Sequence, residues 1–237
     1  MSKTVAKLYS AELDGINAEL IDVEADINVG LHSFNIVGLA DKAVSEAKER
    51  VNSALKNSGI KPPTKENRRI TINLAPADIK KAGSRFDLPI AVAYLLASEQ
   101  LKPFETKNKI FVGELSLDGS LRSINGCLNI ALLAKNKNIN QVFVPSANAE
   151  ETAVVQGIQV IPVKNLNELI EHLENIKTIA PQPETMVRPG YSPKLIELSE
   201  IKGQAAAKRA LLVVAAGGHN ILMSGPPGTG KTMLAQT

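Results

Sequence analysis

Residues 1–177 are predicted to fold as an α+β domain, a mixed sheet with helices packed on it. Residues 195–237 are predicted to open an α/β phosphate-loop module. Three observations carry this reading. Ala18–Ile27 alternates in the strand period, with Ile21, Val23 and Ala25 on an apolar face, after an Asp14-Gly15 turn signal. Beyond residue 69, strand-like and helix-like segments alternate. Residues 225–232 read Gly-Pro-Pro-Gly-Thr-Gly-Lys-Thr, between an apolar strand pattern and helix-forming residues.

The elements follow in order. Thr4–Leu13 and Ile16–Ile27 form a hairpin across Asp14-Gly15. Phe34–Val37 is a short strand closed by Gly38. Asp41 caps a helix running to about Asn57, with Ala43, Val44, Ala47, Val51, Ala54 and Leu55 on one face. Arg69–Leu74 is a strand, Asp87–Ser98 a helix, Ile110–Glu114 a strand, and Leu117–Leu121 a turn. Gly126–Asn136 is helical, Val142–Pro145 a strand, and Ser146 a candidate helix cap. Strand Ile158–Val163 and helix Leu166–Leu173 complete the domain. Residues 178–194 hold Pro181, Pro183, Pro189, Pro193 and Gly190, which block helix and central strand, so this stretch reads as an extended linker.

Composition bounds the function classes. The chain has 237 residues, 44% of them hydrophobic, and a net charge of +3, too small to argue for nucleic acid by itself. Its single cysteine, Cys127, excludes an internal disulfide and a multi-cysteine metal site. His32, His172 and His219 have no ligand spacing. Aromatic residues make up 3% with no Trp, which disfavours a base-stacking platform. The first residues lack an apolar signal core, and no apolar run approaches the ~20 residues that span a bilayer. A cytoplasmic location with no membrane partner is therefore expected.

The chemistry of the glycine-rich loop follows from its residue types. Gly225, Gly228 and Gly230 let the backbone curl so that successive N–H groups converge on an anion. Pro226, Pro227 and Thr229 complete the loop, Lys231 brings a positive charge to the terminal phosphates, and Thr232 offers a hydroxyl to Mg²⁺. ATP and Mg²⁺ are the expected cofactors.

Ile201-Lys202-Gly203-Gln204, Ala215-Ala216-Gly217-Gly218-His219-Asn220 and the loop that follows resemble the opening of an AAA+ ATPase module. Together with Phe34-Asn35-Ile36-Val37-Gly38-Leu39 and Asn73-Leu74-Ala75-Pro76-Ala77-Asp78, they resemble the ComM/YifB family of Mg-chelatase-like proteins, over essentially the whole chain. That resemblance implies an ATP-driven, DNA-acting motor, a branch-migration helicase serving natural transformation, hexameric when intact. It puts Ile201 and Gly203 near the adenine. The residues alone leave open a buried hydrophobe and a helix-entry turn. Residues 83–91 and 113–119 resemble the proteolytic domain of Lon proteases, which has the fold of ribosomal protein S5 domain 2. Asp87 then falls at the nucleophilic serine and Leu128 at the lysine, a pair without a base, so peptidase activity is not expected. On the residues alone Asp87 reads as a helix-start carboxylate, and Cys127 as core.

Seven cations lie between Lys61 and Arg85, against Glu66 and Asp78. Lys80, Lys81 and Arg85 are candidates for a DNA-facing surface, the alternative being a solvated loop. No Walker B acid or arginine finger follows Thr237, so the chain alone is expected to bind nucleotide weakly, to hydrolyse little, and to pack loosely from about residue 195. A Mg-chelatase motor subunit is one alternative, disfavoured by the Lon-like domain. A non-enzymatic assembly or partner-binding module is the other.

Overall fold

The computed structural model describes residues 5–65, 67–186 and 196–237. The chain divides into two compact units, Met1–Val187 and Arg188–Thr237. Thr4, at the start of the expected first strand, and the linker residues Pro189, Gly190 and Pro193 lie outside the described residues.

In the first unit, β1 (Ala6–Asp14) and β2 (Asn17–Val29) form the expected antiparallel hairpin, with Ala6 opposite Ala25 and Asp14 opposite Asn17. β3 (Ser33–Val37) runs parallel to β4 (Arg68–Ala75), and β4 pairs antiparallel with β2. Asp41 caps the next helix by accepting from Val44 N–H at 2.8 Å. That helix is two pieces, α1 (Lys42–Ser45) and α2 (Ala47–Asn57). The break falls at Glu46, whose carbonyl accepts from Glu49 N–H, a tighter three-residue step than the α-helical four.

α3 (Asp87–Ala97) leads to β5 (Lys109–Phe111) and to a separate ribbon of β6 (Glu114–Leu115) and β7 (Leu121–Arg122). The expected single strand over Ile110–Glu114 is thus split at Gly113, whose N–H and C=O turn to Arg85 and Leu88. α4 (Cys127–Asn136), β8 (Gln141–Pro145), the short α5 (Ala149–Thr152), β9 (Gln159–Val163) and α6 (Leu166–Leu173) follow. A 3₁₀ turn over Ser146–Asn148 precedes α5, so Ser146 does not cap it, whereas Asn165 caps α6 through Glu168 N–H.

The main sheet has seven strands in the order β3-β4-β2-β1-β5-β8-β9, mostly parallel. Strand alternation sends its side chains to two cores. Leu8, Ile21, Val23, Ile70, Phe111 and Phe143 pack on one face with α2, α3 and α6. Ala11, Ile110, Val112, Val142 and Val144 pack on the other with α4 and α5. The segment 178–186 is extended and hydrogen-bonded to this unit, through Gln182 N–H to Val160 and Thr185 N–H to Ala153.

The second unit contains α7 (Ala205–Gly217) and α8 (Lys231–Ala235). Its packing is loose, as expected: α7 buries no residue, and Ile201 and Leu234 are the buried hydrophobes among its described residues. Asn220–Ser224, expected as a strand, is not one. A strand needs a neighbour to complete its hydrogen bonds, and no described residue pairs with this segment, which leaves Leu222 exposed. No described helix is long and apolar enough to cross a membrane.

Candidate nucleotide-binding site

The glycine-rich loop is shaped by backbone that glycine alone adopts freely. Gly228 (φ +82°) and Gly230 (φ +81°) lie in the left-handed region, with open space where a Cβ would stand. The requirement at both is conformation, not room. Gly230 is the residue before α8, and its carbonyl accepts from Leu234 N–H at 2.9 Å.

Lys231 folds back across its own loop. Its Nζ donates to the carbonyls of Gly225 at 2.9 Å and Pro226 at 2.7 Å, and lies 3.4 Å from Thr229 Oγ1. Thr229 Oγ1 in turn donates to Pro226 O at 2.9 Å. These acceptors are neutral, so an anionic phosphate competes well for the ammonium. Thr232, exposed in the first turn of α8, leaves its hydroxyl to solvent. A concavity of about 390 Å³ adjoins the loop, lined by Gln204, Ala207, 221–226, Thr229, Lys231 and Leu234. Cationic head, curled amide backbone and adjacent hollow fit a nucleoside triphosphate with Mg²⁺.

Ile201 and Gly203, expected near the adenine, stand apart from this hollow. Ile201 is buried and Gly203 has φ +73°, and neither lines the hollow. Gln204 and Ala207 line it instead, residues to which the sequence assigns no part at the nucleotide.

In the first unit, the Lon-like positions hold other chemistry. Asp87 is fully buried and receives a two-pronged contact from Arg50, Nε to Oδ2 at 2.6 Å and Nη2 to Oδ1 at 2.9 Å. Leu115 N–H donates to the same carboxylate at 3.1 Å. Its role is therefore a buried ion pair and not a helix cap, since the oxygens are taken up by another element. Burial pushes the Asp87 carboxyl up to about 6, against the opposing pull of Arg50 and the Leu115 N–H. Leu128 stands on α4, on the opposite sheet face, and is partly exposed. Ser84 Oγ donates to Glu114 and Lys81 Nζ to the Pro76 carbonyl, so these two side chains have separate partners. Cys127 is core, and burial pushes its thiol up to about 12.

Of the three cations expected to face DNA, Lys80 alone is exposed. Lys81 is fully buried beneath the 76–86 loop, and burial lowers its pKa. Arg85 is 14% exposed, with Nη1 at 3.3 Å from Glu12 Oε1. Glu12, also buried, accepts from Ala82 N–H as well. Lys81 and Arg85 turn inward to the Pro76 carbonyl and Glu12 while Lys80 stays at the surface, and charge counting along the chain does not record that. Lys80→Glu is expected to change stability by less than about 0.5 kcal/mol. Arg85→Glu puts two carboxylates together in a buried site and is expected to cost about 3 kcal/mol or more. Urea melts of both variants distinguish the two positions.

Two family models match the chain. "Subunit ChlI of Mg-chelatase" covers residues 23–148, and "Magnesium chelatase, subunit ChlI" covers 197–237. The competence protein ComM of Haemophilus influenzae is 41% identical over 235 residues, which is 98% of this chain and 45% of that protein. The protein YifB of Escherichia coli is 43% identical over 222 residues, 93% of this chain and 42% of that protein. A Lon protease of Rhizobium meliloti is 25% identical over 166 residues, 66% of this chain and 20% of that protein. The chain thus spans less than half the length of the ComM and YifB proteins it matches. With one model over residues 23–148 of the sheet domain, another across the phosphate loop, and both relatives aligned over more than nine-tenths of the chain, the chain belongs to the ComM/YifB family of Mg-chelatase-like proteins.

Proposed function

We propose that this chain is the amino-terminal part of an ATP-driven AAA+ motor that acts on DNA, performing branch migration as the ComM resemblance implies. Lys231, held over its own loop by neutral carbonyls, is the observation that carries the reading. The backbone N–H groups of 228–232 and Lys231 hold the phosphates, and Thr232 takes the Mg²⁺. ATP hydrolysis then supplies the free energy for movement. In this reading residues 1–177 are an accessory domain with the Lon and S5 domain 2 fold, 178–194 a linker, and 195–237 the start of the motor. The motor works as a homo-hexamer in the cytoplasm. The ComM alignment supports this over a chelatase subunit because it covers 98% of this chain, whereas the two chelatase models match residues 23–148 and 197–237.

The test is made in a full-length relative. Changing the lysine that matches Lys231 to Ala is expected to lower ATP turnover by about 100-fold. Unchanged turnover defeats the reading. Stimulation of the wild-type ATPase by branched DNA supports the DNA motor. Stimulation by a porphyrin with its chelatase partners, and none by DNA, favours a chelatase subunit instead, which is the description that the matching family models carry.

A further inference from the structure

The segment 178–186 runs along the first unit and is held by three backbone N–H groups, those of Ile179, Gln182 and Thr185. The spacing of three matches a polyproline-type strand, and Pro181 and Pro183, which have no N–H to give, fall between the donors. Gln182 and Thr185 donate to backbone carbonyls, of Val160 on β9 and of Ala153. Ile179 donates to a side chain: its N–H lies 2.9 Å from Nδ1 of His172, near the end of α6.

An imidazole nitrogen accepts only while it carries no proton. The His172 ring is fixed, standing edge-on to Phe143 with centroids 5.6 Å apart at 65°, and Phe143 is itself stacked on Phe111 at 4.5 Å. Half-buried, it would give up this contact with Phe143 by swinging away. A proton on Nδ1 would set two donors against each other.

We propose that His172 is a proton-sensitive latch, which holds the segment 178–186 against the first unit when neutral and releases it when protonated. The groups facing the ring are consistent with a neutral resting state. Burial and Lys109, at the start of β5, lower its pKa, and Glu168, one turn earlier on α6, raises it. β8 presents Phe143 and the segment presents the Ile179 N–H, neither of which titrates. With the folded-state pKa below the unfolded value of about 6.5, the bond's stabilisation is full above that value and is lost as pH falls through the folded pKa. The latch itself does not depend on the motor assignment, since both of its halves belong to the first unit.

The experiment is amide hydrogen exchange by NMR on the whole chain from pH 8 to pH 5, corrected for intrinsic rates, with the His172 ring followed through its own ¹⁵N shifts. Protection at Ile179, Gln182 and Thr185 is expected to fall together by tenfold or more as His172 titrates, while amides in β8 stay protected. In His172→Gln, whose side-chain oxygen accepts from Ile179 N–H at any pH, protection is expected to persist. Constant protection across a His172 titration overturns the latch. So does a histidine that stays neutral down to pH 5, or an equal loss in His172→Gln. Should that variant fail to fold, judged by its β8 amides, the wild-type titration alone decides.

Discussion

Replacing Asp87 by alanine is expected to cost about 3–5 kcal/mol of folding stability, the scale for breaking a buried ion pair from one side. The change leaves the Arg50 guanidinium, 21% exposed, with the Ala43 carbonyl and no carboxylate, and it strands the Leu115 N–H. Three elements loosen at once, because Arg50 comes from α2, Asp87 begins α3, and Leu115 belongs to β6. Asp87→Asn keeps an acceptor oxygen for Arg50 Nε and Leu115 N–H, though its NH2 faces Arg50 Nη2, and is expected to cost less. The pH dependence has a definite sign. A carboxyl raised from 3.8 to about 6 in the folded state binds its proton more tightly there than in the unfolded chain. Stability from this group is therefore greatest in acid and declines as pH rises through that window. Urea melts between pH 4 and 7 should show the slope in the wild type and lose its Asp87 share in Asp87→Asn. Equal midpoints for wild type and Asp87→Ala at pH 7 would contradict the role assigned to the pair.

The second large effect is expected at Gly38. Its φ of +108° is unfavourable for any side chain, and a Cβ built there falls 2.0 Å from the Leu74 carbonyl oxygen. Leu74 is buried in β4 and its carbonyl is backbone, so it has no rotamer by which to yield. Gly38→Ala must shift β3 away from β4 or break the turn, at about 3 kcal/mol or more. Gly126→Ala makes a useful contrast. Its Cβ would meet Leu13 Cδ1 at 2.4 Å, but that is the end of a side chain, which can turn aside. Thermal melts should place Gly38→Ala well below Gly126→Ala, and the reverse order would show that β3 is less firmly seated than its register implies.

Some of this was legible in the residues. Asp14-Gly15 between two alternating runs gave the β1–β2 hairpin, and the Asp41 cap was readable because a cap acts within one turn of its own position. The backbone shape of the glycine-rich loop was legible for the same reason, since Gly228 and Gly230 set it locally and Lys231 finds its partners, Gly225 and Pro226, within six residues. What was not legible depends on partners far along the chain. Asp87 meets an arginine 37 positions away, and Arg85 meets Glu12 73 positions away. Lys81 was counted among the surface cations because a basic run carries no mark of which member turns inward. Asn220–Ser224 has the composition of a strand, but a ladder needs two sides, and composition describes one.

The seam in the main sheet has a consequence for biosynthesis. Strands β1 to β4 come from residues 6–75, and they close their ladders among themselves. The other half joins through β5 on β1, where Tyr9 faces Ile110. At translation speeds of about 5–20 residues per second, the ribosome takes several seconds to move from β4 to β5. During that pause the nascent chain holds a half-built sheet whose growing edge is β1, and chaperones that guard unpaired strands have their opportunity then.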